Sequence, residues 1–248
     1  MPGLYNSYCD LKIDNLKSKI ENHKLSMLIP LTRIQKLIGR RMLQSKQSKP
    51  CFYLEAKADV TELMALRPKL KKTLGVRITT NAFYVHTLGL AAREYPLVLG
   101  RLDGEEITIA ERINVGFAVN APQGLVVPVV KDAGDKTLAQ IAREETLLTD
   151  KARDNKLTLE EIEGETIALS NLGAYGIDSF LGIIPPPAST ILSVGNVIPT
   201  VVCRDGEIED RKIVSLSVAA DRRILGEIYA AEFLNYIKDR LQNPQQVV

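Results

Sequence analysis

Two hydrophobic periods alternate along this 248-residue chain, and a chain that carries both packs helices onto a sheet in layers. The two-residue period runs through CFYLEAKAD at 51–59. Extended apolar runs return at 166–170, 188–197, 199–204 and 207–220. The helical period marks Ile34, Leu37, Ile38, Arg41 and Met42, with Thr32 as the expected N-cap and Pro50 as the stop. It marks Leu138, Ile141, Ala142, Glu145 and Leu148, capped by Thr137 and running to about Asn155. It returns at Ile228, Ala231, Phe233, Leu234, Ile237 and Leu241, in a last helix from about 227 to 242. Thr61 is expected to cap a helix to about Lys72, Thr80 one from Asn81 to about Glu94, and Thr158 a short helical start.

Between these lie shorter strands. Gly104 separates 99–102 from 105–109, and the turn APQG separates 112–120 from 125–130. The apolar run LVVPVV at 125–130 suggests burial on both faces, and Pro128 within it suggests a sheet edge or an irregular ladder. Residues 171–187 are rich in Gly and Pro and read as a loop. The expectation is an α/β (α+β) domain over 29–248, a mixed β-sheet flanked by helices, preceded by a polar arm at 1–28. No internal repeat is visible.

Composition narrows the function. At 45% hydrophobic and 25% charged the chain is an ordinary globular sequence. A net charge of +2 does not argue for nucleic acid. No run of 18 apolar residues suggests a membrane span, and the N-terminus has no export pattern. Cys9, Cys51 and Cys203 fit no metal spacing, so reduced thiols in the cytoplasm, or in the mitochondrial matrix of a eukaryote, are expected. Only two histidines occur, His23 and His86.

Four segments together resemble the dihydrolipoamide acyltransferase cores of 2-oxo acid dehydrogenase complexes, such as the pyruvate dehydrogenase complex, whose fold is that of chloramphenicol acetyltransferase. They are IPLTRIQKLIGRRMLQSKQSKPCFYL at 29–54, INVGFAVNAPQGLVVPVVKDAGDKTLAQIARE at 113–144, IALSNLGAYGIDSFLGIIPPPASTILSVG at 167–195 and VSLSVAADRRILGEIYAAEFL at 214–234. The first departs from the family's Pro-His-Phe at Cys51. The last aligns without a gap to the family's Asp-His-Arg-x-x-Asp-Gly segment.

The resemblance implies acyl transfer between thiols in a channel between the subunits of a homotrimer, alone or as the unit of a larger cage. Coenzyme A and a dihydrolipoyl group are the implied substrates, and no covalently bound cofactor or metal is expected. Partners would be other 2-oxo acid dehydrogenase components and lipoyl or acyl-carrier domains. Such chemistry needs a base for the attacking thiol and a donor for the oxyanion. By resemblance Ser170 is the oxyanion donor, Asp221 and Arg223 are structural, and Gly124, Leu125, Val126 and Asn171 line the channel. Arg222 stands at the position of the family's catalytic histidine, Gly226 at that of its second aspartate, and Glu227 at that of the following glycine. A guanidinium stays protonated and cannot take a thiol proton. General base catalysis is typically worth about 10²–10⁴-fold, roughly 3–5 kcal/mol. The family's upstream lipoyl domains and linkers are also not visible in the sequence.

Three readings are open: a structural or assembly pseudoenzyme, an active acyltransferase with another base, or a coenzyme A or acyl-carrier binding protein. Arg222 itself reads most simply as one half of an ion pair inside a subunit interface, with stabilisation of a bound carrier's thiolate by charge, or binding of a phosphate or carboxylate, as the alternatives. His86 reads as a satisfied helix residue, His23 as solvated, and Cys51 as a small buried thiol. Ser170 can alternatively be a turn serine that holds the 171–176 loop. Arg33, Lys36, Arg40 and Arg41 read as a solvated helix face, or as a surface for coenzyme A phosphates or a neighbouring subunit.

Overall fold

The computed structural model describes residues 28–31, 33–122, 124–204 and 206–246. The Thr32 cap, His23, Cys9 and the arm up to residue 27 lie outside the described residues. Two compact units are distinguished, 1–36 and 37–248. In the first, 28–31 have no regular structure and 33–36 begin helix α1 (Arg33–Ser48). The second unit holds the sheet, the core and the remaining helices.

Local chemistry sets the helix starts. Thr137 is the cap of α4 (Leu138–Arg153), as the sequence suggested, and with Gln140 it forms a complete capping box. The cap of α3 (Thr80–Glu94) is Thr79 rather than Thr80, its hydroxyl accepting the Ala82 amide at 2.9 Å. The start of α2 (Thr61–Leu74) is also displaced: the Asp59 carboxylate accepts both the amide and the hydroxyl of Thr61, at 3.0 and 2.6 Å. Adjacent threonines or an upstream aspartate compete for the same amides, so the sequence pattern leaves an ambiguity of one or two positions. No helix forms at Thr158. Two overlapping turns there are closed by the Glu161 amide on the Thr158 carbonyl and the Ile162 amide on the Leu159 carbonyl.

The strands β1 (Cys51–Asp59), β4 (Val115–Phe117), β7 (Val129–Val130), β8 (Ile167–Asn171), β9 (Thr190–Arg204) and β10 (Glu207–Asp221) make one mixed sheet, in the order β1-β10-β9-β8-β4-β7. Strands β8 and β9 are parallel, as are β8 and β4, and the other pairings are antiparallel. Two separate ribbons accompany the sheet: β2 (Gly100–Asp103) with β3 (Glu106–Ile109), and β5 (Val119–Ala121) with β6 (Gly124–Val126).

Two strand expectations need correction. The run 125–130 is not one doubly buried strand. Its first half pairs in the β5–β6 ribbon with Leu125 51% exposed, and only Pro128, Val129 and Val130 are buried, the two valines on the sheet edge where Pro128 suggested one. The runs 188–197 and 199–204 are one continuous strand through Pro199. Beyond Val194 its pairing with β8 ends among the described residues, and the following loop bonds it only through the Asn196 amide on the Ile177 carbonyl at 2.7 Å, so a proline at 199 need not break a ladder bond on that side.

The core lies on the helical face. Helix α3 has ten buried residues, including Phe83 and Tyr84, and is packed against α4, β4, β8 and α5 (Glu227–Gln242). Ala230, Phe233, Leu234, Ile237 and Leu241 turn inward from α5, whereas Ile228, expected in that stripe, is 78% exposed. On α4 the buried stripe includes Glu145, which accepts from Thr79 at 3.0 Å and from the Asn81 side-chain amide at 3.2 Å, tying α4 to the head of α3. Burial pushes this carboxyl above its usual range.

A smaller apolar cluster, Ala168, Ile184, Ala188, Ile191 and Ala219, is joined by Cys51 and Tyr53. The 172–189 segment closes over the sheet beside it. Ser217 donates to the Phe180 carbonyl at 2.5 Å, and the Gly182 amide donates to Ser193 at 3.1 Å. From α1, Ser45 donates to the Ile184 carbonyl at 2.5 Å and Arg41 donates to the Pro186 carbonyl. Leu37 and Leu43 stay exposed on α1. Arg41, expected in a solvated face, also pairs with buried Glu165 at 3.3 Å.

Because the α4 cap is complete, Thr137→Ala is expected to lower stability by about 1 kcal/mol. Urea unfolding followed by circular dichroism reads this as a lower midpoint at an unchanged slope.

Candidate functional site

Ser170 is the penultimate residue of β8, paired in register with Ser193 of β9. Its half-buried side chain lines a hollow of about 380 Å³ with Asn171, Leu125, Asn120, Ala118 and Tyr175. Among the described residues its hydroxyl makes no hydrogen bond, so it is not the residue that holds the following loop. Asn171 does that, its Oδ1 accepting the Gly173 amide at 3.0 Å. The loop lies against β9 because two glycines face each other. A Cβ on Gly173 would sit 2.5 Å from the Gly195 carbonyl oxygen, and one on Gly195 would sit 1.9 Å from that of Asp178. Of the channel residues expected on β6, only Leu125 is in the wall of this hollow. Gly124 and Val126 belong to the same ribbon but not to the wall. Asn120 and Tyr175 were not anticipated, since an exposed residue in a short ribbon or Gly-rich loop carries no periodic signal.

The Arg222 region is built at the other end of β10. Asp221 is the last residue of that strand and pairs with Cys51 of β1. Its side chain is 1% exposed, and both oxygens are taken by Arg223, Nε at 2.9 Å and Nη2 at 2.6 Å. The Arg223 amide adds a third bond at 3.1 Å. Arg222 comes between them, its amide donating to the Pro50 carbonyl at 3.0 Å. Its guanidinium pairs with Glu227 through Nε at 2.6 Å, both side chains about half exposed. An ion pair is therefore made within the chain, half exposed in the single copy. Gly226 is the N-cap of α5 and offers no side-chain cap.

Beside Asp221, burial pushes the Cys51 thiol up and the neighbouring carboxylate adds to it, which keeps the thiol protonated and a poor nucleophile. Burial lowers Lys49, with Asp221 acting in the opposite sense. Lys49 donates to the Ala188 carbonyl. No sequence signal marks Lys49, because the carbonyl that holds it lies far along the chain.

The register decides which groups can meet. Ser170 pairs with Ser193, and Ser193 with Ser217, so Arg222 lies two strands across and five residues along from Ser170. At about 4.8 Å per strand and 3.3 Å per residue their Cα atoms are roughly 19 Å apart. Within one chain they cannot act on the same bond. His86, the one histidine among the described residues, is buried on α3 and lines a different hollow, with Arg93, Asp135 and Thr137. Among the described residues no cluster could hold a metal ion, and no helix is long and apolar enough to cross a membrane.

A mixed sheet with a buried central helix, a serine at the end of β8 and an Asp-x-Arg corner after β10 define an acyltransferase-type core. The chain belongs to the 2-oxoacid dehydrogenases acyltransferase (catalytic domain) family, which it matches over residues 24–248. It is 34% identical over 221 residues to the dihydrolipoyllysine-residue acetyltransferase component of the pyruvate dehydrogenase complex of Rickettsia felis, covering 88% of this chain and 54% of that protein. It is 30% identical over 224 residues to the mitochondrial pyruvate dehydrogenase protein X component of Mus musculus, covering 88% and 44%. The chain thus spans about half the length of the curated relatives it matches.

The structure of Azotobacter vinelandii dihydrolipoamide acetyltransferase superposes with a TM-score of 0.83 at 29% identity, covering 89% of this chain and 93% of that one. In that enzyme a serine, a histidine fifty-two positions after it and an asparagine four further on have been investigated for their role in the catalytic mechanism. A chloramphenicol acetyltransferase, at TM-score 0.50 and 14% identity over 82% of this chain and 94% of that one, shares the fold.

The two arginines at the corner are expected to behave differently. Arg223→Met leaves the buried Asp221 carboxylate without its main partner and should cost about 2 kcal/mol, less than a fully buried pair because the guanidinium is partly in water. Arg222→Met, which breaks a half-exposed pair, should cost under about 1 kcal/mol. Urea unfolding of both variants checks the contrast.

Proposed function

We propose that this chain is a catalytically impaired acyltransferase core that serves as an assembly component of a 2-oxo acid dehydrogenase complex. The observation that carries the reading is the Arg222–Glu227 ion pair, 2.6 Å long, at the position where the family holds its base. Ser170, Arg222 and Gly226 stand fifty-two and then four positions apart, the spacing of the serine, histidine and asparagine investigated in the Azotobacter enzyme. Ser170 is kept and the other two are replaced. A guanidinium has no lone pair to offer a thiol proton, and its charge is already matched by Glu227. That a similar relative carries the name protein X, rather than acetyltransferase, agrees with an assembly role.

The separation of Ser170 from Arg222 supports a homotrimer, or a larger cage built from it, in which Ser170 of one copy approaches the Arg222 corner of the next. Coenzyme A and a dihydrolipoyl group remain the proposed ligands of such a channel, and lipoyl domains and other complex components the proposed partners. Ser170 can still offer its hydroxyl to an oxyanion, so a slow residual transfer is compatible with the reading.

The test is acetyl transfer from acetyl-coenzyme A to dihydrolipoamide, with molecular mass followed by light scattering. The unaltered chain should turn over far below the roughly 10 s⁻¹ of an ordinary enzyme. Arg222→His should raise the rate by about 10²–10⁴-fold, with activity rising with pH through the imidazole range because the neutral form is the base. Turnover by the unaltered chain within about tenfold of ordinary rates overturns the impaired reading.

A further inference from the structure

We infer that the hollow between the C-terminal end of α1 and the β2–β3 hairpin is a binding site for a phosphate group. It has a volume of about 410 Å³ and contains neither Ser170 nor Arg222. Lys49, Arg101 and Arg223 contribute three cations to its wall, and Gln44 and Ser48 a side-chain amide and a hydroxyl. Among the described residues its only carboxylate is Asp221, whose two oxygens are both occupied by Arg223 and which is 1% exposed. Arg223 and Asp221 cancel each other, and Lys49 and Arg101 leave the charge presented to the hollow positive.

The donors are available. Among the described residues Arg101 makes no ion pair and no side-chain hydrogen bond, and the Gln44 side-chain amide makes none either. Lys49 spends one N–H on the Ala188 carbonyl, which leaves two. Its ammonium is partly withdrawn from water, which lowers its proton affinity and makes a nearby anion favourable. The three cations come from three separate places, the residue after α1, strand β2 and the residues after β10, so they converge on the hollow from different sides. A carboxylate is matched by one guanidinium fork, whereas a dianionic phosphate with several terminal oxygens uses convergent donors of this kind. The inference stands apart from the proposed loss of catalysis, since none of these groups is asked to move a proton.

Sodium pyrophosphate is the probe, titrated into the full chain by calorimetry at low ionic strength. Saturable binding is expected, weakened about tenfold or more by Arg101→Gln, the loss expected when one charge-assisted contact goes. Lys49→Met should weaken it further. Arg77→Gln, an exposed arginine outside the hollow, should leave it unchanged. Arg101 lies on an exposed hairpin position, so its variant is expected to fold, and circular dichroism confirms this for each variant. Competition then identifies the source of the phosphate. Displacement of pyrophosphate by coenzyme A but not by pantetheine assigns the site to a phosphorylated cofactor, and failure of both assigns it to free phosphate. Absence of saturable heat, or equal affinity in the unaltered chain and Arg101→Gln, overturns the inference. It is equally overturned if light scattering shows self-association and the associated form does not bind the probe.

Discussion

The Asp221–Arg223 clasp fixes the corner on which the site depends. A carboxylate that is 1% exposed needs its oxygens satisfied by the protein, and a guanidinium two residues on satisfies both in one planar contact. With Asp221 also paired to Cys51 in the sheet and Arg222 bonded through its amide to Pro50, the backbone after β10 has one course into α5. The residue between the clasped pair is thereby presented outward. In this chain that residue is Arg222, and the fold displays it as it would display any side chain at that position.

The same sheet that holds the corner keeps it away from Ser170. Register places the two at opposite ends of a short diagonal across β8, β9 and β10, and a β-sheet does not fold back to shorten such a diagonal. A single copy therefore holds Ser170 and the Arg222 corner as two separate places. What has changed at the Arg222 end is a charge and its partner together. Glu227 receives the guanidinium, so the substitution is accommodated without disturbing the helix that begins there, where an acidic residue in the first turn is favourable.

Much of the architecture is legible in the sequence because it rests on periodicity. The α4 stripe, the α5 span, the Gly104 hairpin and the edge strand after Pro128 all derive from local spacing. Expectation and structure part where burial is set by distant neighbours. LVVPVV looks uniformly buried until the first half is drawn into a two-stranded ribbon. Ile228 fits the α5 stripe by number yet faces water, because neighbouring Ala230 fills the inward position instead. Arg41 looks like a solvated cation until Glu165 and Pro186 come up beside it. Among the site residues, Ser170, Asp221, Arg222 and Arg223 are readable because each lies within a contiguous motif. Lys49, Arg101 and Tyr175 are not, since each owes its place to a surface assembled from separate segments.

By itself the sequence determined that this chain builds an acyltransferase-type sheet-and-helix core and that a permanently charged side chain, Arg222, stands between Asp221 and Arg223. Both are properties of covalent identity and short-range order. Only the tertiary structure decided that Arg222 is answered by Glu227, that Ser170 bonds to none of the described residues through its hydroxyl, and that three cations surround a hollow whose one carboxylate among those residues is already spent. Those are matters of distance in the folded chain, and electrostatics acts through space rather than along the backbone.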